Sequence, residues 1–111
     1  VGTSVRVTSG TVNNILVDAS TTTTGNWIYK AAPKAAIQAT VAGTGAVTAT
    51  VQIEASNDGI NPLTTLVGTI TLSGTTSTSD GFTTDSPWKY IRAKVTAISG
   101  TSALVDVIMG L

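Results

Sequence analysis

Apolar and polar residues alternate with a period of two along most of this chain, the spacing of a pleated strand with one buried face. In residues 46–54, Val47, Ala49, Val51 and Ile53 share one face, while Thr48, Thr50, Gln52 and Glu54 share the other. Residues 89–97 repeat the pattern: Ile91, Ala93, Val95 and Ala97 oppose Tyr90, Arg92, Lys94 and Thr96. Residues 103–109 set Ala103, Val105, Val107 and Met109 against Leu104, Asp106 and Ile108. That second face is apolar enough that a neighbour is expected to cover it. Weaker alternation marks strands at 4–8, 12–17, 27–31, 36–42 and 66–72, where Thr and Val are frequent, as suits β-branched side chains on a pleated surface. The Ala-rich run 31–42 is the one stretch with helical character. Pro33 and the alternation Ile37, Ala39, Val41 favour a strand there.

Turn chemistry falls between these runs at Thr24-Gly25-Asn26, Gly43-Thr44-Gly45, Asn57-Asp58-Gly59, Ser73-Gly74, Asp80-Gly81 and Ser99-Gly100. The expected fold is all-β: a single-domain β-sandwich over residues 1–111, jelly-roll-like, with about eight short antiparallel strands. Residues 74–85 are read as a long connection of the Greek-key kind. The core is expected to include Val51, Ile53, Ile91, Val95, Val105 and Val107.

Composition narrows the function. The 111 residues contain no Cys and no His, and six basic side chains balance six acidic ones. The commonest general base, the commonest transition-metal ligand and all thiol chemistry are therefore missing. A neutral chain with no basic cluster is not expected to bind nucleic acid or an anionic membrane surface, and no apolar run is long enough to span a bilayer. Only 11% of residues are charged, against about a quarter in ordinary soluble domains. The surface must then consist largely of Thr, Ser, Gly, Ala and Asn, which suits a protein packed against copies of itself or a larger partner. The opening residues lack the basic-then-apolar pattern of a secretory leader, and no Asn-x-Ser/Thr acceptor occurs.

The remaining candidates for chemistry are weak. Most of the acids Asp18, Glu54, Asp58, Asp80, Asp85 and Asp106 fall in turn-like contexts, where Asp bonds local backbone, so neither a glycosidase pair nor a calcium site at Asp80 and Asp85 is expected. Ser86 and Lys89 have the spacing of a Lys-activated Ser, but that chemistry requires a helix and Lys89 opens a strand pattern. Gly43-Thr44-Gly45 has the wrong spacing for a phosphate cradle. Arg92 and Lys94 beside Tyr90 read as an ordinary solvent or interface row. Trp27, Tyr29, Trp88 and Tyr90 read as core or interface packing ahead of a sugar-stacking platform. The expectation is a protein that is not an enzyme, with no catalytic residues, no cofactor and no metal. Its candidate interface residues are Trp27, Tyr29, Tyr90, Leu104, Ile108 and Leu111.

Two segments carry a resemblance. Val51-Gln52-Ile53-Glu54-Ala55-Ser56-Asn57-Asp58-Gly59 is followed by Pro87-Trp88-Lys89-Tyr90-Ile91-Arg92-Ala93-Lys94-Val95-Thr96, a Gly turn and a Val-rich last strand. This half of the chain resembles small β-sandwich structural proteins of tailed bacteriophages, of the capsid decoration or cement type; Pro62 and Leu63 stand where such proteins often carry an aromatic. The resemblance implies a virion protein on the outer capsid surface, made in the host bacterial cytoplasm, that binds and stabilises the shell of major capsid protein. A homotrimer, otherwise a dimer, is expected, because closed symmetry is the default for homo-oligomers and Leu104, Ile108 and Leu111 add apolar surface opposite the core face. A tail, baseplate or head–tail joining component is the first alternative. A carbohydrate-binding jelly-roll module is the second, since the Tyr90-Ile91-Arg92 strand is also similar to modules of the discoidin type.

Overall fold

The computed structural model describes residues 6, 7 and 10–111. Their regular structure is entirely strand, in one antiparallel sheet that does not close on itself. The strands are β1 (Arg6–Val7), β2 (Gly10–Ala19), β3 (Thr23–Thr24), β4 (Ile28–Tyr29), β5 (Ala35–Ser56), β6 (Gly68–Thr84) and β7 (Tyr90–Gly110). Their order is β1-β2-β7-β5-β6, and β3 and β4 also pair with β7. Of the expected strand at 4–8, only Arg6 and Val7 are described, as β1; its other residues lie outside the described set.

Three long strands replace most of the short ones expected. β5, β6 and β7 run for 22, 17 and 21 residues. A straight strand of that length would reach about 70 Å at roughly 3.3 Å per residue, yet the longest extent of the molecule is 38 Å. The strands must therefore bend. The start of β5 pairs with the end of β6 (Ala35 with Thr84), and its end pairs with the start of β7 (Ser56 with Tyr90). Only residues 85–89 join those two places, a reach of about 20 Å. Both ends of β5 are thus drawn together. The Phe82 ring confirms the folding within β6 itself, because it occupies the space a Cβ on Gly68 would need.

The bend falls where the ladders slip, between Ala42 and Ala46 against β6 and between Ala42 and Thr48 against β7. The Gly-rich segments expected as strand ends lie here inside continuous strands. Gly100, at φ +127°, turns the β7 backbone so close to Ala46 that a side chain would strike its carbonyl oxygen. Glycine here bends a strand without ending it. Residues 74–85, expected as a connection, pair through Thr84 with β5. Their Thr and Ser lie on an edge strand exposed along much of both faces, so no apolar alternation marks them.

The sheet thus forms two arms. The first contains residues 35–42, 77–84 and 104–110 with β2; the second contains 47–56, 68–75 and 90–98 with β3 and β4. Buried side chains from both arms form one cluster, which includes all six expected core residues at 1% exposure or less. Ile37, Ala39 and Val41 enter it from the first arm and Val47, Val51 and Ile53 from the second. Period-two alternation accounts for this: every buried residue of β7 is odd-numbered, on both sides of the bend.

The joining segment is held by a buried lysine. Lys30 is 2% exposed, and its ammonium donates to the carbonyl oxygens of Ala32 (2.6 Å), Ser86 (2.5 Å) and Pro33. Three acceptors require three N–H donors, which only the charged form supplies. Burial, followed by the charge of Lys89, lowers its pKa from the ordinary lysine value, and Asp85 opposes that shift. The Lys30 backbone N–H also donates to the Lys89 carbonyl at 2.7 Å, so one residue ties both ends of the 85–89 crossing.

Candidate interaction faces

Alternation puts the even-numbered residues of β7 on the outer side of each arm except beyond the slip between Thr50 and Val51, where Ala97, expected inward, is exposed and Ile98 packs against the core instead. In the second arm the outward ones are Tyr90, Arg92 and Lys94, level with Ser56, Glu54 and Gln52 on β5. Glu54 Oε1 accepts from Arg92 Nε at 2.6 Å, and the guanidinium lies 4.4 Å from the centroid of the Trp27 ring. The pair is mostly covered, with side-chain exposures of 21% and 11%. An arginine held on one side by a carboxylate and on the other by an aromatic face has little freedom left to lose on binding. Tyr29 on β4 meets Tyr90 edge-to-face at 5.7 Å and remains 56% exposed.

A tight loop frames the tyrosines. Asp58 accepts from the Ser56 hydroxyl (2.6 Å), from the backbone N–H groups of Ile60 and Asn61 (2.9 Å each) and from the Asn61 side chain (2.8 Å). The Ser56 bond first, and then these others, hold the Asp58 carboxyl well below the usual carboxylate range. Gly59, at φ +67°, turns its bare side to the Tyr90 ring, and Asn57 Oδ1 accepts from the Lys89 N–H.

The outer face of the first arm differs. Leu104 and Ile108 flank Asp106 on β7, beside Ala42, Thr40 and Gln38 of β5. Val17 is 59% exposed and lines a shallow groove with Asn14, Asp18, Gln38, Thr40, Asp106 and Ile108. The Asp18 N–H donates to Asp106 Oδ1 at 2.9 Å, which brings two carboxylates onto this face and no cation into the groove. Val17 was not legible as an exposed residue. Two register shifts in β2, between Asn14 and Leu16 and between Leu16 and Ala19, turn it outward although Ile15 and Ala19 are buried.

The six candidate interface residues therefore separate. Trp27, Tyr29 and Tyr90 gather on the second arm, and Leu104 and Ile108 on the first. Leu111 is half-buried and packs against the core. Trp88 also packs there, in a pocket with Leu63 and Leu66, away from the other aromatics. Arg92 and Lys94, read as an ordinary row, include the cation that orders the aromatic cluster. Asp80, expected in a turn, is on β6, whereas Glu54 and Asp106 lie on strands as their alternation implied, Glu54 on β5 paired with Arg92 and Asp106 on β7. Among the described residues no three acids gather as a metal site. Ser86 and Lys89 lie in the crossing segment outside any helix, with the Ser86 carbonyl bound to Lys30.

No family model, curated protein or solved structure matches the chain.

Proposed function

We propose that the chain is a non-enzymatic structural protein of a tailed-phage virion, a decoration protein that binds the outside of the capsid shell and stiffens it against internal pressure. In finer terms the folded sheet is a jelly-roll-like β-sandwich, each long strand serving both layers. The observation that carries this reading is the outer face of the first arm. Leu104, Val17 and Ile108 stand on the outside of a sheet whose other side already buries the core, on a surface with few charges to keep such residues solvated. A partner that covers this face by apolar area and by hydrogen bonds from Thr and Ser accounts for both features. The glycan alternative draws less support, because Arg92 occupies a face of Trp27 and the tyrosines meet edge-on, so the aromatics do not line up as one flat platform.

A pelleting assay tests the reading. The purified chain should co-sediment with capsid shells stripped of decoration, and Leu104→Ser with Ile108→Ser should release it while its circular dichroism and melting stay close to the parent. Shells that pellet alone, or a double variant that binds unchanged, would sink the proposal.

A further inference from the structure

One edge of the sheet is bare. β6 ends the strand order, bonded to β5 on one side, and no strand among the described residues pairs with its other side. A row of backbone N–H and C=O groups there is open to an extended chain. The edge has two legs, separated where Thr76 takes φ +64° and the ladder to β5 slips. They are guarded differently. On the leg 77–84, Asp80 brings the one charge of β6, and its carboxylate accepts from the Gly81 N–H at 2.8 Å. The leg 69–75 has no charge, no Pro and an unbroken register against β5. Charges, Pro and bulges are the devices that ordinarily keep an edge strand single, and this leg has none of them.

We propose that the leg 69–75 pairs antiparallel with the same leg of a second copy, about a two-fold axis near Thr71 and Leu72. The open backbone requires a strand, and the side chains favour the chain's own. Thr69, Thr71, Ser73 and Thr75 are exposed on the outer side, level with Gln52, Thr50, Thr48 and Ala46 of β5, all uncharged. Two-fold pairing sets like against like, which a neutral row tolerates and Thr–Thr neighbours favour. A foreign strand is selected through pockets or charges that fit its side chains. This leg offers no charge, and its inward residues Ile70 and Leu72 are already 2% exposed beneath the chain's own core. The pairing would join the second arms of two molecules into one continuous sheet. It selects the dimer over the trimer expected from the sequence. It does not depend on the decoration role, and it uses none of Val17, Leu104 and Ile108.

Sedimentation velocity over a concentration series reads the pairing, with amide exchange as the local probe. The parent should rise to two copies, go no further, and change little with added salt, because the contact contains no ion pair. Its amides in 69–75 should gain protection as concentration rises, while those in 77–84 do not. Thr71→Lys and Thr71→Asp set like charges across the axis and should each weaken pairing by more than about tenfold, with melting close to the parent. Mixed together they should pair again, because the axis then joins opposite charges. A parent that is monomeric at every concentration overturns the proposal, as do masses beyond two copies. So does a Thr71→Lys variant that pairs as the parent does, or a mixture of the two variants that stays monomeric.

Discussion

The two arms of the sheet share one interior and differ in what they do with the outside. Inward, both obey the same alternation and contribute aliphatic side chains to one cluster. Outward, the second arm is bound up in its own side chains: Glu54 holds Arg92, Arg92 covers Trp27, Tyr29 abuts Tyr90, and Asp58 closes the adjoining loop. The first arm leaves Val17 and Leu104 in solvent beside short polar contacts, Asp18 with Asp106 and Thr40 with Ser79. A sheet stabilised from within can carry two unrelated outer surfaces, one pre-ordered and one adaptable. That division lets a small chain face two different neighbours.

The shared interior is the part to break first. Ile53→Ala in the second arm and Ile37→Ala in the first should each cost about 2–5 kcal/mol in urea unfolding, the range for truncating a buried aliphatic. Because both belong to one cluster, each should shift a single cooperative transition. Separate transitions for the two arms would show the interior to be divided.

Next in size is the crossing that holds the arms together. Lys30→Met leaves the Ala32, Pro33 and Ser86 carbonyls without their donor. A fully buried acceptor left unsatisfied costs about 1–3 kcal/mol, and these carbonyls are only part-buried, so the variant should lose about 2 kcal/mol and gain amide exchange at residues 30–34 and 85–89. An unchanged melting temperature would show that the ammonium is dispensable.

The outer network of the second arm should matter less to stability. Arg92→Ala removes the bond to Glu54 and the contact with Trp27, at a cost of about 1–2 kcal/mol for a partly covered pair. Arg92→Lys should recover only part of this, because an ammonium lacks the planar fork and flat face. Full recovery by lysine would mean that charge alone is used. The Trp27 fluorescence maximum reads the same change locally.

The smallest effect is a pH slope. Asp58 has its carboxyl pKa lowered in the folded state, so its contribution is present above the unfolded value of about 3.9 and is lost as pH falls through the lower folded value. The parent should lose stability below about pH 4 with a steeper slope than Asp58→Asn. Equal slopes would place the acid sensitivity elsewhere.

The inward half of the fold was legible in the residues and the outward half was not, for physical reasons. Val51, Ile53, Ile91, Val95, Val105 and Val107 announce a buried face because burial constrains every second residue. Strand length was misread because glycine signals positive φ or close approach, and at Gly100 that freedom serves a bend inside β7. β6 beyond Gly74 was missed because an edge strand needs little apolar content: Asp80 pairs with the buried Ala39 yet reaches solvent at the open edge. Of the interface candidates, Leu104 and Ile108 were visible as apolar residues on the wrong face of a strand. Their separation from Trp27, Tyr29 and Tyr90 depended on the fold of the sheet, which no local pattern encodes. Lys30 gave no signal at all, since its partners are backbone carbonyls that any residues supply.

On the proposed reading, the first arm's outer face seats the chain on a capsid shell. Co-sedimentation of the purified chain with undecorated shells, read for the parent and for Leu104→Ser with Ile108→Ser, tests it most directly. The parent should bind saturably, Tyr29→Ala on the other arm should retain that binding, and the double variant should lose it with melting unchanged. Binding that survives the double variant and disappears with Tyr29→Ala would contradict it and assign the shell contact to the second arm.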